Sequence, residues 1–178
     1  YFYTRLILVM VVAMSCAGNV TSQSKEEKKL LKKARKALTE GNYSQAKIDY
    51  EQLLNYNSDS QDYLFEAGLS YYNSEVEREK SIIYFSRALL NSGVDTIPEL
   101  LYYLGRGYHF IHEFDKAIDF YNRFRALIDN KGPNEILKRD VNHYIEMCNN
   151  GKQLQALPPN DITIENMGEK INSTFGEY

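Results

Sequence analysis

Gly105–Phe124, GRGYHFIHEFDKAIDFYNRF, decides how the chain is read. Gly105 and Tyr108 stand three apart, then His112-Glu113 interrupts the apolar spacing, and Phe114, Ala117, Tyr121 and Phe124 resume it at helical intervals. The pattern predicts two helices joined by a tight turn. A small residue where the pair crosses lets the backbones approach closely, and rings fill the space beside the crossing. The same arrangement lies upstream. Ala34, Ala37, Gly41, Tyr43, Ala46, Tyr50 and Leu53 form one copy. A looser one keeps Gly68, Tyr71, Ser81, Phe85 and Ala88, with Glu75 to Glu79 at its turn and one extra residue. Ala34 and Gly68 are 34 residues apart, whereas Gly68 and Gly105 are 37 apart because Asn91-Ser92-Gly93-Val94 lengthens the connection. Recurrence of small and aromatic residues at this period marks stacked helical hairpins, each burying its neighbour's open face.

Helix starts fit the scheme. Ser24 with Glu27, Ser58 with Gln61 and Thr96 with Glu99 have capping-box spacing, and Pro98 falls in a first turn, where its missing N–H costs little. After the break at Lys131-Gly132-Pro133, Ile136, Leu137, Val141, Tyr144, Ile145 and Cys148 recur at helical spacing. They predict a capping helix, with Lys138, Arg139, Asn142 and Glu146 on its polar outer side.

With these positions in hand, the stretch from about Lys25 to Gly151 resembles the tetratricopeptide repeats. The expected fold is an all-α solenoid: repeats at about 27–60, 61–97 and 98–131, then a capping helix at 133–151. The resemblance implies a groove lined by the first helix of each repeat, which binds other proteins. Family positions carried over residue by residue are Lys28, Leu31 and Arg35, then Asp62, Phe65, Leu69 and Tyr72, then Glu99, Tyr102, Arg106 and His109. Aromatics with arginine suit a protein-binding hot spot. The plainer reading is that Phe65 and Tyr102 cover neighbouring helices. Where the chaperone-tail-binding subclass carries Lys and Asn in its carboxylate clamp, this chain has Leu31 and Arg35, a departure that argues against that kind of recognition.

Outside the repeats the composition changes. Leu157-Pro158-Pro159-Asn160 reads as a stiff linker, and Asp161–Glu165 alternates as a short strand does. Asn166–Ser173, followed by Glu177-Tyr178, resembles the opening of the WD-type β-propeller in Bacteroidetes outer-membrane proteins, making 152–178 a linker and the start of a truncated propeller. That resemblance implies an amino-terminal piece of a protein ordered as signal sequence, repeats, propeller and peptidoglycan-gripping OmpA-like domain, of the gliding and type IX secretion kind. Peptidoglycan would be reached only through domains absent from this chain.

At the other end, Arg5 precedes the apolar run Leu6–Ala17, shorter than the roughly 20 residues of a membrane span. It reads as an export signal, 1–22, and places the protein in the periplasm or at the outer membrane. Val20-Thr21-Ser22 before Gln23 suits ordinary cleavage; Ala13-Met14-Ser15-Cys16 is a poor lipobox that would instead place a lipid on Cys16. Cys148 then has no disulfide partner and reads as buried filler.

Charge and motif content narrow the function. Lys+Arg number 21 against Asp+Glu 24, so no net positive field favours nucleic acid. The first helix is nonetheless basic, with Lys25, Lys28, Lys29, Lys32, Lys33, Arg35 and Lys36. Such a run is usually a solvated face, and the sharper reading is contact with an acidic partner or anionic headgroups. His109 and His112, three apart on one helix, could join His143 around a metal, but no HExxH or Cys/His ligand spacing supports it. There is no Ser-His-Asp order and no phosphate loop. The expectation is a non-catalytic, cofactor-free adaptor for protein partners in the cell envelope. An outer-membrane assembly lipoprotein made mainly of repeats, or the docking arm of a downstream enzyme, stands as the alternative.

Overall fold

The computed structural model describes residues 23–92, 97–128 and 133–157. The expected signal segment with Cys16, the Thr96 cap, the Asp161–Glu165 strand and the Asn166–Ser173 resemblance lie outside them. Among the described residues the chain is helical throughout, without strands. The helices are α1 (Lys25–Thr39), α2 (Tyr43–Tyr56), α3 (Gln61–Tyr72), α4 (Ser81–Asn91), α5 (Pro98–Phe110), α6 (Phe114–Leu127) and α7 (Pro133–Gln155), with a 3-10 turn at Arg78–Lys80 before α4. Each packs chiefly on its neighbours in sequence, as in a stack of hairpins.

Small residues set the crossings. A Cβ placed on Gly68 would sit 2.5 Å from the ring of Phe85, and one on Gly105 would sit 2.6 Å from Tyr121. In each case the glycine on the first helix is the socket for the ring of the second. Tyr50, Phe85 and Tyr121 are fully buried, each worth about 1.5–3 kcal/mol of apolar burial. Three cores follow, one per repeat, with Tyr84, Leu54, Leu89, Tyr108 and Phe120 shared between adjacent ones. The last is closed by α7, whose Val141 and Cys148 are buried and whose Tyr144, Ile145 and Leu137 pack against it. Burial also pushes the Cys148 thiol up to about 11, so it behaves as an apolar side chain. On the outer side Arg139, Asn142 and Glu146 are exposed and Lys138 is half-buried.

The turns between paired helices differ in length but share a backbone device. Gly41, Glu77 and His112 all take positive φ, at 75°, 62° and 62°. Glycine enters that region freely, while Glu77 and His112 do so against their own Cβ. In the first and third repeats the turn is three residues, Glu40–Asn42 and Ile111–Glu113. In the second it runs Asn73–Lys80 and includes the 3-10 segment.

Two local expectations are corrected. Ser24 and Glu27 do form a capping box, but α3 is capped by Ser60, whose hydroxyl accepts from the Tyr63 N–H, rather than by Ser58. Ser60 stands directly before the first helical residue, which leaves Ser58 in the preceding turn. His109 and His112 do not share a helix face: α5 ends at Phe110 and the left-handed turn carries His112 away.

Candidate functional site

Alternate helices α1, α3, α5 and α7 meet along one face, where side chains reach from each to the next. Arg35 of α1 donates to Glu66 of α3 at 2.8 Å. Phe65 and Tyr72 of α3 stand edge-on to Tyr103 of α5, with ring centroids 5.9 and 5.2 Å apart. Tyr102 of α5 lies 5.5 Å from the ring of Phe124 and 6.5 Å from that of Tyr144 on α7. Arg106 of α5 lies over the Tyr144 ring at 4.3 Å. Aromatic contacts of this kind hold their geometry at little entropic cost.

The face opens into two clefts. The larger, about 570 Å³, is lined by Pro98, Glu99, Tyr102, Tyr103, Phe124, Leu127, Ile128 and Leu137. The smaller, about 170 Å³, lies at the other end of α5 and is lined by Tyr72, Arg78, Arg106, His109, Phe110, Tyr144 and Met147. The eleven groove residues expected from the sequence therefore divide. Glu99 and Tyr102 line the larger cleft, and Tyr72, Arg106 and His109 the smaller. Phe65 behaves as a half-buried packing residue beside Phe85 and Tyr103, and Leu31 and Leu69 pack against the first and second cores. Lys28 and Asp62 are exposed. The basic face of α1 is partly paired: Lys33 meets the buried carboxylate of Asp49 at 2.8 Å, and Lys36 approaches Glu40.

Four lining residues of the smaller cleft went unread in the sequence. Arg78 comes from the extended turn of the second repeat and lies over the rings of Tyr72 and Phe110, at 5.7 and 5.1 Å. Phe110 and Met147 are large apolar side chains left half-exposed beside it, and Tyr144 belongs to the helix expected only to cap the stack.

Titration behaviour follows burial. Burial pushes the Tyr102 phenol up to about 12, with Arg106 pulling the other way. Burial lowers the His109 pKa, and the charges of Arg106 and His112 lower it further. Its Nδ1 lies 3.5 Å from the Tyr121 hydroxyl. His112 sits in the turn and His143 is exposed on α7. Among the described residues no group of three or more His, Cys, Asp or Glu side chains is arranged to hold a metal ion.

No protein-family model and no curated protein matches the sequence. Solved structures do match the fold. The type III secretion chaperone SycD of Yersinia enterocolitica, solved in complex with a peptide of the translocator YopD, superposes with TM-score 0.62 at 16% identity, covering 73% of this chain and 97% of that one. The Sgt2 tetratricopeptide domain from Aspergillus fumigatus superposes with TM-score 0.59 at 19% identity, covering 85% of this chain and 97% of that one. At these identities the likeness is one of fold, and the fold it supports is a tetratricopeptide-type helical stack.

Proposed function

We propose that the chain is a non-catalytic docking module whose α1, α3, α5 and α7 face holds a segment of a partner protein. One observation carries the reading: rings of α5 line both clefts, and at the smaller one Tyr72 of α3, Arg78 of the turn, Arg106 of α5 and Tyr144 of α7 converge around open space. The SycD structure, with its bound YopD peptide, offers a precedent for a peptide on a stack of this fold. We further propose that the module works outside the cytoplasm, as an adaptor in the cell envelope associated with the outer membrane and serving secretion or gliding machinery. This rests on Arg5 with the apolar run Leu6–Ala17 and on Asn166–Ser173.

Panning a displayed library of random short peptides against the full chain tests the docking role. Enriched peptides should lose capture by the Tyr102→Ala, Arg106→Ala double variant while helicity by circular dichroism stays unchanged; capture at wild-type strength refutes the groove. For the envelope setting, cell fractionation with mass spectrometry of the mature N-terminus is decisive. A chain beginning at Gln23, or an acylated Cys16, supports export, and an unprocessed cytosolic chain overturns it.

A further inference from the structure

The smaller cleft carries two permanent positive charges without a counter-charge. Arg106 rests on Tyr144, and Arg78 lies over Tyr72 and Phe110. Among the described residues neither guanidinium is in an ion pair with a carboxylate: Glu66 pairs with Arg35, Glu77 with Lys80, and Glu51 accepts from the hydroxyls of Tyr71 and Tyr84, while Glu75 and Glu79, near Arg78 in the chain, are exposed. The Arg78 Nε is buried and has no hydrogen-bond partner. A guanidinium stays charged at any physiological pH, and its donors form a rigid fork that matches a carboxylate. Buried donors are normally satisfied, so this one calls for an acceptor. Around the two arginines the walls are rings and a thioether, with Phe110 and Met147 turned to solvent at 48% and 44% exposure.

Building on the docking reading above, we infer that this cleft recognises an Asp or Glu side chain carried beside an apolar residue in a linear segment of a partner protein. The carboxylate sits between Arg78 and Arg106, and its apolar neighbour covers Phe110 and Met147. The charges of cleft and segment are complementary. A phosphate brings about two charges and three strong acceptors, and beyond the two guanidiniums the lining adds only the His109 ring and the Tyr72 and Tyr144 side chains as polar groups.

The test uses peptides enriched by panning on the full chain, resynthesised with acetylated and amidated ends and titrated by fluorescence anisotropy. They are expected to share an acidic residue next to an apolar one, and its replacement by the matching amide should weaken binding about tenfold or more. Arg78→Met with Arg106→Met keeps the aliphatic stems against the rings and should erase the difference between acid and amide. Met147→Glu places a carboxylate at the cleft from within; it should weaken acidic peptides by a similar factor at an unchanged melting temperature, which keeps the test valid if the double variant folds poorly. Equal binding of acid and amide overturns the inference, as does preference for phosphoserine at that place or for a free C-terminus over an internal acid. Each of those outcomes leaves the docking reading standing, provided the Tyr102→Ala, Arg106→Ala double variant abolishes capture. Absence of any enriched peptide overturns both.

Discussion

Arg35 and Arg106 hold the same place in the first and third repeats, one residue after the small side chain at the crossing, yet their surroundings are opposite. Arg35 reaches the carboxylate of Glu66 on α3. Arg106, looking toward α7, finds the ring of Tyr144. Position within a repeat thus decides which way a side chain faces, while the next helix in the stack decides whether its charge is neutralised. One end of the face is internally paired, and the other keeps its charge available.

The sharpest way to break this comparison is to remove the frame that makes the two positions equivalent. Tyr121 fills the socket at Gly105 and is fully buried. Tyr121→Ala should cost about 3–5 kcal/mol and melt the stack, because the cavity lies at the joint between α5 and α6. A denaturation curve matching wild type would mean that the crossing does not hold Arg106 where it is. A smaller effect should separate the arginines themselves. Arg35→Ala strands Glu66, whose side chain is only 20% exposed and whose Oε2 is already buried without a partner, so about 1 kcal/mol of stability should be lost. Arg106→Ala gives up a cation–π contact but also relieves an uncompensated charge, and should cost less in urea unfolding. The reverse order would show Arg106 to be the structural residue.

Much of this frame was legible in the sequence because crossings need small residues and rings need sockets, and both recur at a fixed period. Gly105 with Tyr121 and Gly68 with Phe85 appear as pattern partners in the sequence and as touching partners in space. The groove was legible only in part. The period could nominate Tyr72, Tyr102, Arg106 and His109, since they lie on the first helices of repeats. It could not nominate Arg78, which sits in the stretch where the second repeat departs from the pattern. The lengthened Asn73–Lys80 turn reads as a flaw in the repeat, yet it carries a second guanidinium over Tyr72 and Phe110. Tyr144 escaped for a different reason. A capping helix is read for its buried face, and that ring serves the core and the cleft together.

The smallest effect is a pH dependence that should belong to one end of the stack alone. His109 stands four residues after Gly105, where the first repeat has Leu38, a side chain with no proton to exchange. In the folded chain burial lowers the His109 pKa, with Arg106 and His112 adding to it, so the folded state binds fewer protons than the unfolded one once pH drops toward the ordinary histidine value of about 6.5. Stability therefore rises with pH across the window from the lowered pKa up to that value, and it is lost as pH falls through the same window. The ring is partly open to solvent, so screening keeps the slope shallow. Melting temperatures of wild type and His109→Gln, followed from neutral to mildly acidic pH, should diverge, with the variant declining less. Parallel curves would show that His109 titrates alike in the folded and unfolded chain, so that neither its burial nor the charge of Arg106 perturbs it.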